Sequence, residues 1–182
     1  MRQTIGSMNL PLVLHALEFA TEKHRGQVRK DADATPYIQH PIALASLLWE
    51  VGVHDAEVLA AAILHDTIED TPTTHTELEE KFGRAVADLV AEVTDDKREP
   101  KAVRKQKQID HAAHLSTGAR LVKLADKICN LRDVANSPPA DWPIERRREY
   151  FEWARAVVER IPEKHARLAA LFDEAYAAKP EA

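Results

Sequence analysis

Apolar residues recur every three or four positions along almost the whole chain, and alternating apolar-polar runs are few, so the pattern predicts an all-α protein. In "LPLVLHALEFATEKH", Leu14, Leu17, Thr21 and His24 fall on or near one stripe of a first helix. Proline is favoured in a first helical turn, so a helix "PIALASLLWEV" is expected to start just after His40 and to end at Gly52. A third helix, "DAEVLAAAILHDTIED", takes Asp55 as its N-cap and stops at Thr71-Pro72, because the residue before a proline is pushed out of helical geometry. Shorter helices through "THTELEEKFG" and "RAVADLVAEVTDD" meet at Gly83. A charged stretch, "DDKREPKAVRKQKQIDH", leads into "TGARLVKLADKICNLRDVAN", whose Leu121, Leu124, Ala125, Ile128 and Leu131 form an apolar face. "SPPADWP" reads as a loop, and two helices separated at Pro162 close the chain. Without an internal repeat or a low-complexity linker, the expected organisation is one domain over residues 12–178, an N-terminal segment 1–11 and a flexible tail 179–182.

One stretch breaks the apolar pattern in an unusual way. "AAILHDTIEDT" runs from alanine, isoleucine and leucine into a histidine and three carboxylates, with no lysine or arginine nearby to pair with them. A His-Asp pair means little by itself in a chain with 9 His and 13 Asp, and His54-Asp55 is read as a turn and a helix cap. At about 100° per residue, however, His65, Asp66, Glu69 and Asp70 fall within about 140° of a helix. The same face carries Ala62 and Val58 in the preceding turns. Carboxylates gathered against an apolar stripe repel one another and would take up protons unless a cation sat among them, so a bound divalent metal is expected.

Two adjacent residues cannot complete a coordination shell. His40, placed before a helix-opening proline, and Asp126, interrupting an apolar helix face, are candidates to add to it. Each has a plainer alternative in capping or in an ion pair, the latter with Lys123 or Lys127 for Asp126. Cys129, the only cysteine, excludes a disulfide framework and a cysteine-rich zinc site, so histidines and carboxylates must hold any metal.

The 25 basic and 30 acidic residues leave a net charge of −5, which argues against general nucleic-acid binding. "MRQTIGSMNL" has no apolar core of signal-peptide length and "VLAAAIL" is too short to cross a bilayer, so a cytoplasmic protein with no membrane partner is expected. Trp49, Phe82, Trp153 and Phe172 read as packing residues, and His15, His75, His111, His114 and His165 receive no role. His24 reads as a packing or loop-anchoring residue and Cys129 as a small buried one.

Five blocks, "KHRGQVRKDADATPYIQHP", "AAILHDTIEDT", "FGRAVADLVAEVTDDK", "LVKLADKICNLRD" and "EYFEWA", resemble in order and spacing the hydrolase domain of RelA/SpoT proteins, in particular the small stand-alone metazoan SpoT homologues. The similarity runs from about Leu14 to about Ile161. It implies an all-helical HD-type phosphohydrolase that removes the 3′-pyrophosphate of the guanosine alarmones ppGpp and pppGpp with Mn²⁺. Matched motif by motif, the metal ligands would be His40, His65, Asp66 and Asp126, and the catalytic carboxylates Glu69 and Asp70, either of which serves as base. Arg29 and Lys30 match a phosphate-contacting basic pair. Lys101, Asn130, Arg146 and Tyr150 match residues lining the substrate pocket, with Tyr37 available to stack on the base. Arg146 and Tyr150, four apart, share a helix face, while Arg147 and Arg148 are expected in water.

Two positions depart from that family. Ala34 stands where glycine is common, and Cys129 where tyrosine is common; neither is a proposed ligand. The chain has no room for a synthetase domain, so a hydrolase alone is expected. The rival readings are an HD phosphohydrolase with another substrate, such as the 2′-phosphate of NADPH or a simple nucleotide, and a non-catalytic nucleotide-binding HD protein. The sequence leaves the oligomeric state open.

Overall fold

The computed structural model describes residues 9–181. Residues 1–8 of the expected N-terminal segment, and Ala182 of the expected tail, lie outside the described residues. Leu10 and Pro11 belong to the first helix, so the helical domain begins two residues earlier than expected.

The fold is built round α3 (Ala56–Leu64), which is buried from Val58 through Leu64. A helix apolar on every side has no face for water and must lie inside. Four helices surround it: α1 (Leu10–Lys23), α2 (Gln39–Glu50), α6 (Arg84–Val93) and α8 (Thr117–Asn136). The side chain of Asp55 accepts the N–H groups of Glu57 and Val58, so the expected cap opens α3 as read. α5 (His75–Phe82) joins α6 at Gly83, whose φ of 87° glycine adopts without a Cβ penalty. α7 (Lys101–His111) and a short 3-10 turn, Ala112–His114, lead into α8, and α9 (Ile144–Arg160) and α10 (Ala166–Ala177) close the chain. Phe151 of α9 and Leu168 of α10 are fully buried, extending the core past α8.

Three details depart from the sequence pattern. In α1 the inward residues are Ala16, Phe19 and Ala20, while Leu14 and Thr21 face water. Ala16 and Ala20 let α1 lie close against α3, with Phe19 beside them; of the expected stripe, Leu17 packs at the edge of the core and His24 is buried. Trp49 is 42% exposed and stacks on His54 with ring centroids 4.0 Å apart, so it packs on the surface and not in the core. Arg147 and Arg148 are half-buried, Arg147 donating from Nε to the carbonyl of Trp142 at 3.0 Å.

The helix expected through residues 55–70 is two helices. α3 ends at Leu64, and α4 (Thr67–Asp70) restarts beyond a His65-Asp66 turn in which Asp66 has φ −100° and ψ 0°. The buried hydroxyl of Thr67 donates to the carbonyl of Leu64 at 2.7 Å, a side-chain bond that competes with helix continuation. Glu69 and Asp70 are therefore re-aimed relative to the straight-helix arc.

Candidate metal centre and nucleotide pocket

The turn at the end of α3 places His65 almost fully buried beneath α2 and α8. Its Nδ1 lies 2.8 Å from the carbonyl of Ala62, which can only accept, so Nδ1 holds a proton. Nε2 is buried, 3.0 Å from Asp66 Oδ2 and 3.8 Å from Asp126 Oδ1, yet has no hydrogen-bond partner because the geometry to those oxygens is off-line. From the first turn of α2, His40 brings Nε2 to 3.3 Å from Asp126 Oδ1, while its Nδ1 is buried and unpartnered. One ligand atom from each of His40, His65 and Asp126 falls within 4.8 Å of the others. Asp66 stands beside this cluster and not in it, its Oδ2 accepting the hydroxyl of Tyr37.

A lone pair on His65 Nε2 facing two carboxylate oxygens is tolerable only with a cation between them. Two imidazoles and carboxylates suit a first-row divalent ion. Without one, a proton takes the place: burial opposes the imidazolium of His65, but Asp66 and Asp126 outweigh it and push its pKa to about 9. Burial likewise works against the charge on Asp126, and Lys127 with the two histidines overrides it, holding the carboxyl well below its ordinary range. Lys127 Nζ donates to Asp126 Oδ2 at 3.2 Å and sits 4.2 Å above the ring of Trp153. Of the two lysines that might pair with Asp126, Lys127 does so, whereas buried Lys123 donates to the carbonyl of Val93.

Cations missing from the local sequence of Glu69 and Asp70 arrive from further along the chain. Asp70 is paired with Lys97. Glu69 accepts the backbone N–H of Asp95 at Oε2, 3.2 Å, and Arg104 Nη1 stands 3.6 Å from Oε1. Burial first, then the charge of Asp66, pushes the pKa of Glu69 up to about 7.

Two cavities meet at the cluster. The larger, about 460 Å³, is lined by Arg29, Lys30, Tyr37, His40, Asn130, Trp142 and Tyr150, with the apolar side chains of Val28, Val134 and Pro139. The second, about 260 Å³, is lined by Asp66, Glu69, Asp126, Lys101, Arg104, Lys105, Lys127 and Trp153. Asn130, Trp142 and Tyr150 line both. Asn130 donates from Nδ2 to Asp126 Oδ1 at 2.6 Å and accepts from Arg29 at Oδ1, linking centre and pocket. Arg29 is also paired with Asp133, so part of its charge is already matched. Arg146 lies outside both cavities, over the ring of Trp142 at 4.5 Å and in an outer hollow with Lys101. Burial and then Arg146, Lys30 and Arg104 depress the pKa of Lys101, the mark of crowded like charge.

The loop between α1 and α2 forms one rim of the large cavity. It is held by Arg29 N–H to Thr35 O, 2.7 Å, and Tyr37 N–H to Gln27 O, 3.0 Å. His24, buried, anchors its base by stacking on Tyr37 and bonding Gln27, whose amide reaches the carbonyl of Asp70. Ala34 has φ +50°, a left-handed conformation that glycine adopts more easily. The opposite rim, the loop after α8, is tied to the first by the N–H of Ala140 and the carbonyl of Lys30 at 3.0 Å. Sequence reasoning missed Lys97, Arg104, Lys105 and Trp142, and named Lys127 only as a partner for Asp126. Only Trp142, an aromatic inside a proline-rich loop, left a local signal.

Comparison with known proteins identifies the family. A family model described as HD domain matches residues 16–151. The human guanosine-3′,5′-bis(diphosphate) 3′-pyrophosphohydrolase MESH1 is 55% identical over 147 residues, covering 80% of this chain and 82% of the relative. The Escherichia coli bifunctional (p)ppGpp synthase/hydrolase SpoT is 40% identical over 127 residues, 66% of this chain but only 18% of its own length. A solved metazoan orthologue of SpoT, described as hydrolysing ppGpp, superposes with a TM-score of 0.88 at 44% identity, covering 91% of this chain and 94% of that one. The chain therefore belongs to the HD-domain family, and within it to the group of stand-alone SpoT homologues.

Proposed function

We propose that this protein is a metal-dependent hydrolase that removes the 3′-pyrophosphate from ppGpp and pppGpp, giving GDP or GTP and pyrophosphate. The observation that carries the reading is the buried cluster of His40, His65 and Asp126, opening on a pocket of nucleoside size, in a chain more than half identical to relatives bearing that activity in their names. The ligands would be His40, His65 and Asp126, with Asp66, whose Oδ2 lies 3.0 Å from His65 Nε2, as a fourth, and Mn²⁺ the working ion. When bound, the ion supplies Lewis acidity that polarises a phosphoryl oxygen and makes a water acidic enough to react at neutral pH.

The remaining work falls to the chain's own residues. The larger cavity holds the nucleoside between Tyr37, Tyr150 and Trp142, with Arg29 and Lys30 at its mouth. Lys101 and Arg146 receive phosphate oxygens from the far side. Glu69, half-buried and with its pKa near 7, takes a proton from the attacking water, while Asp70 is occupied by Lys97. Water oxygen bonds to the phosphorus next to the ribose 3′ oxygen, the P–O3′ bond breaks, and that oxygen leaves with the proton that Glu69 took from the water, returned to it directly or through solvent. The single cysteine is consistent with a reducing, cytoplasmic setting.

Mn²⁺-loaded protein incubated in parallel with ppGpp, pppGpp and NADPH tests the proposal. Pyrophosphate and GDP or GTP are the expected products. Orthophosphate from NADPH with no turnover of the alarmones would replace the assignment with a 2′-phosphatase, and no turnover of any of them would leave a binding protein. Glu69→Gln with metal retained should lower kcat by about 100-fold or more.

A further inference from the structure

Unlike α3 and α8, α7 turns a polar stripe inward. None of its residues is fully buried, and Lys101, Arg104, Lys105 and Gln108, spaced by three and four, all line the smaller cavity. Burying polar groups costs free energy unless each finds a partner, and two atoms here, Arg104 Nε and Gln108 Oε1, are buried with none. Stability alone gives no reason for such a stripe.

The contacts it does make converge on one carboxylate. Arg104 Nη1 lies 3.6 Å from Glu69 Oε1 and 4.0 Å from Asp95 Oδ2. Gln108 Nε2 donates to Asp95 Oδ2 at 2.7 Å, and the N–H of Asp95 donates to Glu69 Oε2 at 3.2 Å. Both oxygens of Glu69 are thus held, one directly by α7 and the other through a turn that α7 fastens. We propose that Arg104 is a positioning residue for Glu69, fixing its carboxylate, together with Gln108 acting through Asp95, in the orientation that accepts a proton from the attacking water. The inference rests on the hydrolase reading and extends it to side chains whose action is through Glu69.

The charges facing Glu69 make the role specific. Asp66 and Asp70 come from its own segment, Asp95 from the turn after α6, and Asp126 with Lys101, Lys105 and Lys127 from across the cavity. Three of the nearest are anions, so removing the guanidinium leaves the carboxylate both unguided and repelled. Both contacts run from one guanidinium nitrogen, Nη1, placed between Glu69 and Asp95; lysine keeps the charge, but its shorter side chain does not carry it to that point.

The test compares Arg104→Gln, Arg104→Lys and Gln108→Leu in the Mn²⁺-loaded protein, with metal content and thermal midpoint measured alongside. Arg104→Gln should lower kcat about 10- to 100-fold with KM changed less than about twofold. The acid limb of the kcat profile should move to higher pH. Arg104→Lys should restore most of the limb's position but only part of kcat, and Gln108→Leu should act in the same direction more weakly. In a Glu69→Gln background, Arg104→Gln should cost nothing further. A raised KM at unchanged kcat, or a full additional loss in that background, would overturn the role. Should Arg104→Gln fail to fold, Gln108→Leu and Asp95→Asn decide by the same criteria. If the parent turns over no alarmone, the hydrolase reading falls separately. The positioning claim is then decided by the titration of carbon-13-labelled Glu69, whose midpoint must rise on Arg104→Gln and which, unchanged, would refute it.

Discussion

Loading the centre with a divalent ion should expel a proton from His65. In the metal-free protein this imidazole has its Nδ1 committed to the carbonyl of Ala62, and Asp66 and Asp126 keep Nε2 protonated up to pH about 9. A metal needs the Nε2 lone pair, so it competes with that proton. At pH 8 about nine-tenths of the protein carries it, and at pH 7 the competition costs the metal about 2 pH units, or about 2.7 kcal/mol of apparent binding free energy. Affinity should therefore rise about tenfold per pH unit between 7 and 8.5 and level off above 9. The sign is consistent with folding linkage: His65 is raised above its ordinary value, so its contribution to metal-free stability is complete below about pH 6.5 and lost as pH rises through about 9. Calorimetric titration of Mn²⁺ at pH 8 in buffers of different ionisation enthalpy should give about one proton released per ion. At that pH Glu69, with its pKa near 7, is already largely ionised and adds about a tenth. Binding that releases no proton and is flat between pH 7 and 8.5 would mean that His65 Nε2 is not a ligand.

Two stability predictions can be checked by chemical denaturation. Ala34→Gly should stabilise slightly, by about 0.5 kcal/mol, because relief of the left-handed conformation outweighs the added freedom of the unfolded chain, whereas Ala34→Val should cost about 1 kcal/mol or more. A destabilising glycine would show that the loop does not hold φ +50° in solution. Phe151→Ala, at a fully buried position, should cost about 3 to 5 kcal/mol, and a loss under 1 kcal/mol would contradict its place in the core.

How much of this was legible in the sequence depends on the range of the interaction. The caps at Asp55 and Gly83, the apolar face of α8 and the unusual chemistry of "ILHDTIED" are local and could be read directly. His40 and Asp126 each had an equally ordinary local explanation; only the matching of separated motifs, and then the packing of α2 and α8 against the end of α3, bring them together. The break between α3 and α4 was hidden because the apolar periodicity runs straight through it, while the side chains of His65 and Thr67 bond the carbonyls of Ala62 and Leu64 at the turn. The expected shortage of cations was wrong for a related reason: Lys97 and Arg104 lie 27 and 35 residues from the carboxylates they meet, in a charged stretch whose pattern looks like plain solvated surface. In α1 the leucine spacing suggested a stripe through Leu14, whereas the inward face is centred on Ala16, Phe19 and Ala20.

The hydrogen bond from Ala140 to the carbonyl of Lys30 makes the two lips of the larger cavity one girdle. Joined through main chain, the lips stay coupled whatever side chains they bear, so ligand selectivity there can drift by substitution without prying the mouth apart. Insertion or deletion of a residue in either lip is different. It would shift the donor out of reach of its acceptor and free the two to swing separately.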